Sequence, residues 1–160
     1  MRVCCQGLSL PELLVVLLLS ALVLALGTPA LGGIQQRAEL RREAQRVLAA
    51  ITLTRGESIA RNIPVSLCPA NTAGPATPTC GGIYAGGWIV FADPGRDRQF
   101  DPQRDTLIRV FAPLPAGYTL TNRSGDRPLA DVLTFSPDGA THRGLTFLVC
   151  PPPGSAAGSR

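Results

Sequence analysis

Hydrophobic and polar positions divide the chain into three stretches. From Leu13 to Gln36 no charged residue occurs, and most positions are Leu, Val, Ala or Ile. A run apolar on every face predicts a helix whose surroundings are apolar all round, a membrane span before a soluble buried helix. As a helix it would reach about 36 Å at ~1.5 Å per residue, against a hydrocarbon core of roughly 30 Å. From Ala38 to Arg61 the pattern turns amphipathic. Leu40, Ala44, Val47 or Leu48, and Ile51 recur at helical spacing, while Arg41, Arg42, Glu43, Arg46 and Arg55 fill the other side. The two stretches together predict one helix from about Leu8 to Ile59. It should stop near Asn62-Ile63-Pro64, because the residue before a proline avoids helical geometry.

Beyond Pro64 the punctuation is glycine and proline, with short runs of strand-type residues between. These predict strands at Val65–Cys68, Gly87–Ala92, Thr106–Phe111, Tyr118–Asn122, Val132–Ser136 and Leu145–Cys150. Pro137-Asp138-Gly139 supplies the dihedrals of a tight turn. A long helix followed by many strands predicts an α+β fold, the helix packed on an antiparallel sheet head. About 120 residues outside the apolar run suffice for one modest domain and not for two.

Composition and charge change this picture little. The hydrophobic fraction of 45% is inflated by the N-terminal run. Every one of the 15 basic residues is arginine; with 11 acidic residues the net charge is +4, which permits attraction to polyanions without demanding it. The single histidine, His142, lies in a polar turn. No serine stands in a nucleophile-elbow context and no cysteine has metal-ligand spacing with histidine, so no catalytic constellation and no cofactor is expected.

The edge of the apolar run carries the most information. A secretory signal peptide would have a stronger positive start than Arg2 alone and a shorter core, although Pro29-Ala30-Leu31-Gly32 can mimic a cleavage site. Arg37, Arg41 and Arg42 after the run, against Arg2 before it, argue for the opposite orientation by the positive-inside tendency. Glu12 is costly at the edge of an apolar helix unless a positive group meets it. The segment Gly7-Leu8-Ser9-Leu10-Pro11-Glu12-Leu13-Leu14-Val15-Val16-Leu17 resembles the leader junction of type IV prepilins and type II secretion pseudopilins. The resemblance implies cleavage by a prepilin peptidase between Gly7 and Leu8, methylation of Leu8, and a role for Glu12 in aligning subunits. A neighbour's Glu12 would then neutralise the new amine inside an apolar bundle. Leu8 replaces the commoner phenylalanine; Pro11 is tolerated in a first helical turn. Pro29 falls where pilin helices often carry a kinking proline.

Further along, Thr54-Arg55-Gly56-Glu57-Ser58-Ile59-Ala60-Arg61-Asn62-Ile63-Pro64-Val65-Ser66-Leu67-Cys68 is similar to the "ARSEAIRRNxPVxLC" stretch of the GspH/FimT family. Gly86-Gly87-Trp88-Ile89-Val90-Phe91-Ala92-Asp93 resembles its "GWIVFxD" strand, and Phe135-Ser136-Pro137-Asp138-Gly139 its late "FxxxG" hairpin. Gly56 stands where the family has serine and weakens the helix modestly. The resemblance implies a pilin-like chain: leader 1–7, membrane and filament-core helix 8–36, amphipathic half 37–62, β-rich head 63–150 and tail 151–160. It implies a single-pass protein of the bacterial inner membrane with a periplasmic head, later part of a pilus or pseudopilus. Its partners would be other pilin or pseudopilin subunits, prepilin peptidase and the inner membrane, with DNA as an alternative.

Three residue groups remain as candidate sites. Cys4 and Cys5 precede the apolar run; Cys68, Cys80 and Cys150 follow it, on the other side of any membrane it crossed. Cys68 and Cys80 bracket a loop rich in Pro, Thr, Ala and Gly, where a disulfide would add roughly 3 kcal/mol on the chain-entropy model. Cys150 can compete for Cys68 or remain a buried thiol. Asp93, Asp97, Asp101 and Asp105 recur every four residues and are candidate calcium ligands. Interleaved Arg96, Arg98 and Arg104, and the missing closing glutamate, favour turn-forming aspartates and local ion pairs instead. Arg123, Arg127, Arg143 and Arg160 are candidate DNA contacts, provided they converge on one surface. Few aromatics are available to stack on single strands.

Overall fold

The computed structural model describes residues 9–70, 72, 78–141 and 143–154, with the helical backbone alone for residues 25–33. Helix α1 spans Leu10–Arg61, 52 residues in one element. Ser9 at its N-cap is extended, Pro11 sits in the first turn, and Asn62 closes the other end in the left-handed region at φ 54°, donating its N–H to the Ile59 carbonyl. The stop before Pro64 is where the proline predicts it.

From Leu10 to Leu24 every side chain of α1 is exposed. Ser20 returns its hydroxyl to the carbonyls of Val16 and Leu17, so its polar group is satisfied within the helix. Among the described residues, however, no helix is long and apolar enough to cross a membrane. The expected span over 8–36 takes in Leu8 and the side chains of 25–33, which lie outside the described residues.

The second half of α1 docks on the head by much of the expected stripe, with Leu40, Val47 and Ile51 on the core, and by polar positions besides. Ala44 and Leu48 face solvent, whereas Glu43, Val47, Ala50, Thr54 and Ser58 are buried. The polar members can be buried because they are satisfied locally. The Thr54 and Ser58 hydroxyls donate to the carbonyls of Ala50 and Arg55, and Glu43 pairs with Arg46.

Six strands follow: β1 (Val65–Pro69), β2 (Trp88–Ala92), β3 (Thr106–Phe111), β4 (Thr119–Thr121), β5 (Leu133–Phe135) and β6 (Leu148–Cys150). They form an antiparallel four-stranded sheet in the order β3-β2-β1-β5 and a separate β4-β6 pair. Each strand falls on a predicted one; the division into two sheets was not foreseen. Val65, Leu67, Trp88, Val90, Leu133 and Phe135 join Val47 and Ala50 of the helix in one core. The alternate residues Cys68, Ile89 and Phe91 form a second, smaller core under Phe100 on the opposite face. Both central strands are therefore buried at every position. The fold is α+β, a long helix on an antiparallel sheet, as expected.

Candidate functional site

The junction Gly7-Leu8 lies outside the described residues, as do Arg160, His142 and the side chain of Pro29. Glu12 is exposed in the first turn of α1, where a carboxylate interacts favourably with the positive end of the helix dipole. It is the single charge on the rod of apolar side chains from Leu10 to Leu24. An exposed apolar surface of that kind is unfavourable in water.

The cysteines are partitioned. Cys68 and Cys80 form a disulfide with Cα atoms 5.6 Å apart, and the chain hydrogen-bonds across the same point as Gly81 N–H donates to the Pro69 carbonyl. Cys150 is a free thiol, half-buried at the end of β6, 3.6 Å from the Thr121 hydroxyl. It does not compete for Cys68.

The four regularly spaced aspartates build a loop. Asp93 is fully buried and accepts the backbone N–H groups of Asp97 (3.2 Å) and Arg98 (3.0 Å) together with the Ser66 hydroxyl (3.3 Å). Asp97 and Asp101 accept N–H groups two residues on, from Gln99 and Gln103, and both reach Arg104. Asp105 accepts the Asp101 N–H at 2.8 Å. The Gln103 N–H, and after it the Arg104 guanidinium, hold the Asp101 carboxyl below the usual carboxylate range. Among the described residues no three His, Cys, Asp or Glu side chains come together as a metal site. The carboxylates are occupied in shaping turns.

Three of the four candidate arginines do converge. Arg123, Arg127 and Arg143 line one groove of about 490 Å³ between the 122–131 turn and the 143–146 segment. Arg143 also pairs with Asp131 at 2.8 Å.

One functional contact was not visible in the sequence. Arg46, assigned by periodicity to the solvent side, lies over the Trp88 ring at 5.2 Å and donates to the Ala112 carbonyl at 2.7 Å while pairing with Glu43. Trp88 in turn stacks on Phe111, their centroids 5.5 Å apart. An arginine three residues after a glutamate on a helix was the only available signal, and that spacing is common on solvated faces.

The family model of type II transport protein GspH matches residues 43–160, which is most of the chain. The chain belongs to the GspH family. The match begins at Glu43, where α1 first buries a side chain against the head, and takes in the whole head. GspH is a family of pseudopilins and minor pilins, a structural rather than an enzymatic family. No curated protein and no solved structure matches this chain.

Proposed function

We propose that this GspH-family chain is a minor pilin or minor pseudopilin that is cut between Gly7 and Leu8 by a prepilin peptidase and built into a filament of the cell envelope. The observation that carries the reading is the unpartnered apolar rod from Leu10 to Leu24 with Glu12 as its single charge. A surface of that kind is stable only when covered, and copies of similar helices cover it while a free N-terminal amine meets the carboxylate. The head then supplies contacts or recognition along or at the end of the filament, with other pilin or pseudopilin subunits as its partners.

Mass spectrometry of the protein from cells is the direct test. The expected mature N-terminus is methylated Leu8, and Glu12→Ala should leave processing intact while lowering recovery in sheared filaments at least tenfold. Persistence of residues 1–7 in the working protein, or undiminished incorporation of the Glu12 variant, refutes the reading.

A DNA-binding role is the second reading, favoured by the convergence of Arg123, Arg127 and Arg143 on one groove. It predicts duplex-DNA binding by the purified chain that weakens steeply with salt and falls on replacing Arg123 and Arg127 together. Binding unaffected by that replacement removes it.

A further inference from the structure

The outer face of the sheet, away from α1, is only partly covered. Phe100 seals it above Phe91, with their rings in an edge contact at 5.4 Å, but the 93–105 loop stops short of β5. A groove of about 760 Å³ remains between loop residues 96–99 and the strand residues 130–136. Its floor is made by Val132, Thr134 and Ser136, alternate positions that point away from the helix while Leu133 and Phe135 enter the main core. Thr134 is tied to its cross-strand neighbour Ser66 through their hydroxyls, 2.8 Å apart. Strand β5 is paired to β1 on one side only, and its other edge carries a single bridge, Phe135 to Thr141.

The loop wall carries Arg96 and Arg98, both exposed. Neither enters an ion pair among the described residues, whereas Asp97 between them is turned to Arg104, and Asp131 opposite is matched by Arg143. Both arginines sit in the left-handed region, at φ 57° and 61°. That region disfavours any residue with a Cβ and suits glycine. Buried Asp93 holds the loop in this shape through the N–H groups of Asp97 and Arg98. Two strained positions thus carry long cations, uncompensated, on the wall of a groove. Strain of this kind is characteristic of ligand clamps.

We propose that this groove binds an extended, acidic segment of a different protein, its carboxylates meeting Arg96 and Arg98 and its backbone lying along the outer face of β5. An extended chain fits a groove whose floor is made by alternate side chains along one strand. Its carboxylates complement the two free guanidinium groups, which present forked donors to them. Asp97 and Asp131 are already paired to Arg104 and Arg143, so among the described residues the two arginines face only the carboxylate of Asp138 unmatched in the groove. A second copy of this chain is a poor occupant, since the acidic residues of its 93–105 loop are interleaved with arginines. The proposal does not depend on the pilin reading.

The test uses the full chain in detergent and a fluorescent decapeptide of alternating Glu and Thr, read by anisotropy. A Gln-Thr peptide, a Lys-Thr peptide and a duplex DNA 20-mer serve as comparisons. The acidic peptide should bind at least tenfold tighter than the Gln-Thr peptide, with affinity falling as salt rises. The double variant Arg96→Gly/Arg98→Gly removes both cations while suiting the backbone better, so it should keep its fold by circular dichroism and lose tenfold or more in peptide affinity. Thr134→Glu, which leaves both arginines and places a carboxylate in the floor, should lose as much. Equal affinity for the Glu-Thr and Gln-Thr peptides, or unchanged binding in the glycine variant, overturns the proposal. DNA that displaces the peptide and is itself lost with Arg96 and Arg98 reassigns the groove to nucleic acid. Self-association of the chain that disappears in the glycine variant reassigns it to a second copy.

Discussion

Gly139 closes directly against Ile59: a methyl group on its α-carbon would stand 2.9 Å from the Ile59 Cδ1 and 3.1 Å from the Arg55 Nε. The turn after β5 is thereby seated on the last turns of α1, and its glycine is held at φ 74°. Gly139→Ala should cost about 1–3 kcal/mol in denaturant unfolding, from the left-handed dihedral together with the crowding. Adding Ile59→Ala relieves only the crowding. Full recovery in that double variant would show that the dihedral contributes nothing.

Arg46 is expected to be a structural clip between helix and sheet. Arg46→Ala removes the ring contact and the Ala112 hydrogen bond and leaves Glu43, which is only 3% exposed, without its cation. A loss of about 2–4 kcal/mol follows from stranding a buried carboxylate. Glu43→Gln in the same background should restore part of it, so a thermodynamic cycle over the two positions measures the coupling. Arg46→Lys should not rescue fully, since an ammonium cannot serve both the carboxylate and the carbonyl as a fork. Strict additivity of the two changes would refute the clip.

Cys68→Ser and Cys80→Ser should each lower stability by about 3 kcal/mol, and the pair together by no more, because one bond is lost either way. Cys150→Ser should change little. Alkylation of the native head should mark Cys150 and spare the other two unless a reductant is added.

Tyr84 links stability to alkaline pH. Burial first, and then the nearby Asp131 carboxylate, pushes its phenol well above the ordinary tyrosine range. In its neutral form the hydroxyl shares its one proton between the carbonyls of Leu67 and Asp131, at 3.2 and 3.0 Å. The folded state therefore keeps a proton that the unfolded chain releases above about pH 10, so the contribution of Tyr84 to stability is constant below that pH and falls as pH rises beyond it. Ultraviolet titration should show Tyr84 ionising only together with unfolding, and Tyr84→Phe should flatten the alkaline loss. A Tyr84 that titrates in the folded protein would contradict this.

Legibility tracked how local each signal was. Strand β3 lies where its run of strand-type residues predicts it, and α1 ends where Pro64 requires. The apolar stripe of α1 meets the core at Leu40, Val47 and Ile51 as its spacing predicts, but hydrophobic spacing leaves polar positions to water. Glu43, Thr54 and Ser58 are buried, and they can be because each is satisfied within a turn of its own helix. The aspartate loop was read as turns on account of its interleaved arginines, and its hydrogen bonds are those of turns.

What the residues alone determined was the order of elements, the α+β class, the apolar rod with its single acid, and the family. All of these are written in periods and motifs that span neighbouring positions. The tertiary structure decided which polar side chains of α1 are buried, which cysteine stays free, and which arginines share a surface. Those outcomes depend on groups far apart in the chain, such as Arg46 with Ala112 and Arg98 with Thr134, whose proximity arises only once the strands have paired. Periodicity reports the environment a residue prefers; packing decides which of its competing environments is available.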